Sequence, residues 1–413
     1  MTNGRSRREV LAAVGAVGAT ATAGCLDALG VASSIDVSAT TAFAQFRGGL
    51  TRRGVYPDAE VPQTVTREWA LRDVNTGDHT AAKASVAPTS DGDVLCPGDS
   101  GSLWRVTPDG DVVWETTVTG ASRGMHGTPV VVDGYAFVGA YDGVLTAVDV
   151  ETGDLAWRAD LGDAIGSSPA YHDGVVYIAV EYADPSGAMF GVDATSGDVA
   201  WEDQRITDHP HSTPAIDRDA GRLVVGSNDG FLYAWSYPDL EFQWRFDTGD
   251  AIKGPVATAE GGAFFGSWNH DAYRVALADG TESWSARTGG LVMSGPAVEP
   301  STSTVYVGSK DDRLYALDAD TGKARWTYDA GDAIIGCPTV AGEHVLVGSY
   351  DATLHAVEKT TGDDVWQASG VGRVTSTPRV LDDAVYFTDR ASTAALEGEG
   401  GKTGALYRLS AGD

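Results

Sequence analysis

Two residue series and the offset between them predict an all-β fold: a closed, eight-bladed β-propeller of four-stranded antiparallel blades. Pro88, Pro129, Pro169, Pro214, Pro255, Pro296, Pro338 and Pro378 fall 40–45 residues apart. Trp69, Trp114, Trp157, Trp201, Trp244, Trp284, Trp326 and Trp366 recur at a similar period. That period, with short alternating strands, indicates propeller blades rather than a helical solenoid. The offset indicates how the ring closes. The first tryptophan precedes the first proline, and after Pro378 the chain ends without another tryptophan. The strand near Trp69 is therefore expected to complete the last blade, which removes the two open edges of a linear array.

The sixth repeat, Ser294 to Trp326, shows how one blade is written. Ala297-Val298 starts strand A at the hub, Thr304–Val307 forms B, Arg313–Leu317 forms C, and Lys323–Trp326 forms the outer strand D. The C–D connection, Asp318-Ala-Asp-Thr-Gly322, suits a tight turn: Asp folds back on backbone amides and Gly accepts a positive φ. Asp149–Gly153 and Asp193–Gly197 repeat it closely, and Glu358–Gly362 loosely. Pro108-Asp-Gly110 and Asp279-Gly280 meet the same need with other turns.

The N-terminus is not blade text. Arg7-Arg8 precede a mild Ala/Gly-rich run ending in Thr22-Ala-Gly-Cys25, a pattern that resembles a Tat export signal followed by a lipobox. On that resemblance residues 1–24 are a signal peptide and Cys25 is the lipid attachment site. The run is too short and glycine-rich to span a bilayer core comfortably. Residues 25–42, small and polar, are expected to form a flexible tether, and 43–413 the propeller.

Composition limits the partners. The formal charge of the 413 residues is −29; residues 1–24 contribute +2, so the remainder carries −31, and only six of 29 basic residues are lysine. Such a surface repels nucleic acid and anionic lipid. It resembles halophilic archaeal proteins, where dense salt screens like charges. Cys96 and Cys337 lie in different repeats and are expected to be buried free thiols.

The pattern Ala-x-Asp-x-x-Thr-Gly-x-x-x-Trp at Ala147–Trp157 and Ala316–Trp326 resembles the tryptophan-docking motif of PQQ-like propellers. That family includes quinoprotein alcohol dehydrogenases and BamB-type assembly lipoproteins. The resemblance implies that each tryptophan packs on the neighbouring blade. Phe46-Arg-Gly-Gly and Gly54–Asp58 also resemble the family's lead-in in halophiles. Blades one, four and five depart from the motif.

Topology sorts the loops onto two faces. The A–B and C–D turns share one, whose acids Asp91, Asp133, Asp173, Asp382 and Asp383 are explained by turn preference. The D–A connectors and B–C turns share the other. There the connectors bring Lys83, Arg123, His126, His209, His211, Lys253 and Arg373 toward the hub, beside the turn aromatics Tyr141, Trp268 and Tyr350. Two long insertions, Glu181–Met189 and Asp389–Gly404, fall on this face too. These ten residues are the candidate binding face, suited to an anionic or polar partner group with aromatic anchors. The competing reading pairs the cations with Asp78, Asp163, Asp208, Asp250 and Asp332 in the same connectors. The three histidines lack a Cys or carboxylate at metal-ligand spacing, so no metal is expected.

The expected function is a non-catalytic, lipid-anchored interaction scaffold outside the cell, similar to BamB-type proteins. It would be a monomer with protein partners and would reach the membrane through its lipid alone. The resemblance also implies an alternative, a PQQ-dependent dehydrogenase with calcium. The adjacent-cysteine pair of that branch is absent from the sequence, as are long pocket-building insertions. Neither PQQ nor calcium is therefore expected. A carbohydrate- or polymer-binding module using the turn aromatics is the third reading. No catalytic triad or phosphate-cradling loop is present in the sequence.

Overall fold

The computed structural model describes residues 34–76, 81–390 and 403–412. Eight four-stranded antiparallel blades close into a ring. Blade six runs Ala297–Glu299, Thr304–Gly308, Arg313–Asp318 and Ala324–Asp329. Its outer strand thus continues three residues past Trp326, which sits mid-strand rather than at the end. Ring closure is as the offset predicts: Val65–Thr76 pairs antiparallel with Thr403–Ala411 and becomes strand D of blade eight.

Apolar side chains alternate along each strand and fill the wedges between blades. The hydrophobic cores accordingly straddle neighbours: Val130, Leu145 and Phe137 of blade two meet Val176, Ile178 and Phe190 of blade three. Comparable wedges join blades seven and eight, and eight and one. Burial at roughly 25 cal/mol per Å² of apolar surface makes these wedges the main cohesive element of the ring.

The repeated tryptophan adds a directional contact. Trp284 donates its indole N–H to Ala319 O at 2.9 Å, in the C–D turn of the next blade. Trp114, Trp157, Trp244 and Trp326 do the same to Val150, Ala194, Leu277 and Lys359. Trp69 reaches Pro108 O, and Trp366 reaches Pro62 O, which stands where blade eight has a chain break instead of a turn. Of the eight repeated tryptophans only Trp157, Trp284 and Trp366 are buried; the other five are half-buried and contribute less than full burial would. Trp201 departs from the series. Its neighbour turn, Tyr237-Pro-Asp-Leu240, has no glycine, and Trp201 meets Trp235 edge-on instead, with centroids 6.0 Å apart.

The turn glycine has two jobs at once. Gly322 holds φ +69°, and a Cβ there would stand 2.8 Å from the Trp284 ring. Gly322→Ala is expected to cost about 2–4 kcal/mol, from left-handed backbone strain plus overpacking. Gly174→Ala, at φ +83° with nothing within 4 Å, should lose only the backbone part. Equal shifts of the two denaturation midpoints would refute the seat.

Residues before the first blade do more than lead in. Ile35–Ala42, assigned by sequence to the tether, packs on blades two and three. Ile35 is 7% exposed and donates its N–H to Thr195 O, and Asp133 Oδ2 accepts from Ser38 N and Ala39 N. The expected tether therefore ends earlier, because backbone amides of this segment find acceptors in the turns beneath it. Residues 44–54 then wind around the axis inside the ring. Val131 N donates to Ala44 O, Ile216 N to Leu50 O, Thr258 N to Thr51 O, Val298 N to Arg53 O and Val340 N to Gly54 O. One short segment thus bonds the innermost strands of blades two, four, five, six and seven, and Gln45 exchanges two hydrogen bonds with Tyr171 of blade three. Val55–Tyr56 continues as a parallel partner of Thr339–Ala341.

Two buried arginines lock this plug. Arg52 donates to Phe46 O, Pro169 O and Pro214 O at 2.8–3.1 Å. Arg47 donates to Arg52 O, Pro296 O and Pro338 O. Four of the blade-opening prolines therefore turn their carbonyls to the axis, where two guanidiniums from the lead-in satisfy them.

Candidate functional site

The plug leaves a shallow recess on the axis, open toward the connector face and floored by Phe46. Lys83, His126, His211, Lys253, Cys337 and Thr375 are among the side chains lining it. Each comes from a connector that enters a different innermost strand, which is why residues scattered over almost 300 positions converge. Four of the ten expected site residues are brought together here: Lys83, His126, His211 and Lys253. The other six, Arg123, Tyr141, His209, Trp268, Tyr350 and Arg373, do not line the recess.

Cations and aromatics combine in pairs on this face. Lys253 Nζ lies 4.1 Å from the Trp268 ring centre, Arg373 4.4 Å from that of Tyr350, and Arg123 5.6 Å from that of Tyr141. Arg390, which the sequence reading did not single out, covers Tyr350 as well at 5.2 Å. Each such contact contributes about 0.5–1 kcal/mol at exposed sites and more when desolvated. His126 packs on Tyr141 with centroids 4.3 Å apart.

The acids that meet these groups are different from those expected. Asp250 and Asp332 cap the amides of Ala251 and Ala333, and Asp163 accepts from Ala183 N. Asp208 Oδ1 caps His209 N and is the one of these four in contact with an expected cation, 3.4 Å from His209 Nδ1, while it and Asp250 also act on Lys253 at longer range. Asp78 lies outside the described residues. The acids that count are Asp99, in a B–C connection, and Glu181, the last residue of a B strand. Asp99 Oδ2 accepts from Ala81 N and Ala82 N, and its Oδ1 is 3.3 Å from His126 Nε2. Glu181 Oε1 is 2.9 Å from His211 Nδ1. His209 Nε2 turns away to Tyr182 O. The Glu181–Met189 insertion is shorter than expected, since the B strand runs to Glu181 and C restarts at Gly187, which leaves five residues between them. The Asp389–Gly404 insertion lies largely outside the described residues.

Burial sets the protonation states. It pulls the Lys83 ammonium down to about 8, with Arg390 and Lys253 adding repulsion. It lowers Lys253 and His211 too, the latter against the pull of Glu181. Asp99 is pushed up to about 6 by desolvation, against the two amides it accepts from. An acid whose folded pKa is raised stabilises most below its unfolded pKa, near 4, and loses that contribution as pH rises through about 6. Asp99→Asn, which keeps an acceptor for the two amides, should therefore gain on the wild type between about pH 4 and 6. A stability difference constant over that window would contradict the assignment.

Among the described residues no three His, Cys, Asp or Glu side chains group as a metal site. Cys96 and Cys337 are buried free thiols, and burial raises Cys96 strongly. Cys25 and the residues before it lie outside the described residues.

Comparison with known proteins adds the context. Residues 99–234 and 269–412 match the family described as the outer membrane protein assembly factor BamB. The BamB of Moranella endobia is 24% identical over 185 residues, which cover 43% of this chain and 44% of that protein. A quinohemoprotein alcohol dehydrogenase of Comamonas testosteroni is 25% identical over 249 residues, covering 50% of this chain but 33% of the enzyme. The chain thus aligns with less than half the length of these relatives. Among solved structures, a europium-containing methanol dehydrogenase superposes with a TM-score of 0.76 at 11% identity, covering 90% of this chain and 98% of that one. BamB from Moraxella catarrhalis superposes at 0.63 and 17% identity, covering 84% and 100%. At such identities the superpositions establish the propeller alone.

Proposed function

The chain belongs to the BamB family of propellers, and on that premise we propose that it is a non-catalytic scaffold whose connector face docks a protein partner. In this reading the chain is exported and held on the outer face of the cytoplasmic membrane by lipid on Cys25. The observation that carries it is the clustering of cation–aromatic pairs around one channel mouth in a chain of charge −29. Aromatic and arginine side chains dominate the energetics of protein interfaces. Each of Trp268, Tyr141 and Tyr350 already has a cation over its ring, which leaves less of it for a sugar to stack on and favours a protein over a carbohydrate.

The anchor supports the same face. Ile35 meets Thr195 in a C–D turn, so the chain joins the ring on the side opposite the connectors. Cys25 is ten residues earlier, and an extended chain spans at most about 3.5 Å per residue. A lipid there would hold the turn face near the bilayer and leave the connector face outward.

A bound quinone fits the recess poorly. Its free space is about 50 Å³, against roughly 300–1,000 Å³ for ligand pockets. No carboxylate is among the residues that line it, so it offers calcium no oxygen cage of the usual acidic kind.

A photo-crosslinking residue in place of Tyr350 or of Glu151, on the opposite face, tests the reading in intact cells. A discrete adduct from position 350 alone is expected, with Cys25→Ala moving the protein from membrane to medium. Adducts of the same mass from both faces, or none from 350 while the protein stays membrane-bound, would refute it.

A further inference from the structure

The recess contains a charge that the fold does not answer. Lys83 and Lys253 both line it, and among the described residues neither ammonium is in an ion pair or donates a hydrogen bond to a protein acceptor. Lys253 leans on Trp268. Lys83 has no such ring among the described residues. The acids that act on the two ammoniums at a distance are directed elsewhere: Asp99 meets Ala81 N, Ala82 N and His126, and Glu181 Oε1 meets His211. Arg390 adds a third cation that acts on Lys83. Both ammoniums are half-buried in the recess, and an ammonium drawn partly out of water gains from an acceptor of opposite charge.

We infer that the axial recess is a carboxylate-binding site, in which Lys83 and Lys253 receive the negative charge and Thr213, Thr375 and Thr377 complete the polar lining. The space of about 50 Å³ admits a carboxylate and the carbon that bears it, and excludes a bulky head. Opposite charge supplies the attraction, and a desolvated ammonium binds a carboxylate by a charge-assisted hydrogen bond. The carboxylate could be that of a small free acid or of an acidic side chain on the docked partner. The inference deepens the scaffold reading by naming the chemistry at the centre of its face, and rests on that reading only for the second source.

The test reads Lys83 itself. Purified full-length protein is treated with cyanate at about pH 8, and carbamylation of each lysine is followed by mass spectrometry. Acetate is compared with acetamide, which has the same shape and no charge, at matched ionic strength. A bound carboxylate favours the charged amine by a unit or more, so acetate should slow Lys83 modification about fivefold. Lys323, exposed in a turn on the opposite face, should be unaffected. Equal Lys83 rates in acetate and acetamide would overturn the site, without any need for a variant. Lys253→Gln should weaken the protection while leaving Lys83 reactive; full protection in that variant also counts against the two-lysine site. Repeating the labelling on partner crosslinked to position 350 separates the sources. Protection there without acetate assigns the carboxylate to the partner, and reactivity restored only by acetate-free buffer assigns it to a small acid. Acetate protection in cells that yield no partner would retain the site and discard the scaffold.

Discussion

Arg52→Met is expected to destabilise the propeller by about 3–6 kcal/mol, because it orphans three buried carbonyls at roughly 1–3 kcal/mol each. Arg52 is fully buried and joins Pro169, Pro214 and Phe46. Those bonds connect two blades to the plug, so the effect should reach beyond local fraying. Arg52→Lys separates charge from geometry. Lysine keeps the charge but lacks the planar fork that meets three acceptors lying in different directions. Most of the loss should therefore persist in the lysine variant. Chemical denaturation of both variants checks this, and a lysine variant as stable as wild type would show that charge alone seals the axis.

The second large effect lies at the closure. Asp389 is fully buried and accepts from Val371 N, Gly372 N, Ala405 N and the Tyr407 hydroxyl at 2.6–2.9 Å. Ala405 and Tyr407 belong to the strand that receives Val65–Thr76, so one carboxylate ties the ring's seam to the preceding connector. Asp389→Ala leaves three amides and a hydroxyl without their acceptor, and is expected to cost about 4 kcal/mol or more. Asp389→Asn can still accept from some of these donors but turns an N–H₂ toward others, and should fall between. Hydrogen exchange should locate the loss in Thr403–Ala411 and its partner strand. Loss spread evenly over all blades would contradict a seam role.

The parts of this protein legible in sequence are those that repeat. Proline and tryptophan spacings mark each blade because every blade solves the same packing problem, and the offset between the series gives the closing strand. The Trp201 exception was signalled only by a missing glycine in the next turn. The lead-in was not legible, because Arg47 and Arg52 find acceptors 100–300 positions away and follow no period. The same holds for the recess. Basic residues near the hub could be placed from topology, but which acids meet them could not. Asp99 lies on a B–C connection and Glu181 at the end of a B strand, whereas the acids nearest in sequence, such as Asp250 and Asp332, cap the amide of the very next residue. Local turn chemistry had already taken them.

In the scaffold reading, function resides on the connector face. Its most direct measurement is a pull-down of the partner, identified by crosslinking at position 350, with a Lys253→Ala, Arg373→Ala double variant. Both side chains are partly exposed, and their removal forfeits only the two cation–aromatic contacts, so the variant should fold. Partner recovery is predicted to fall at least about tenfold, corresponding to roughly 1.4 kcal/mol of lost binding. Recovery equal to wild type, from a variant with an unchanged denaturation midpoint, would place function elsewhere on the molecule.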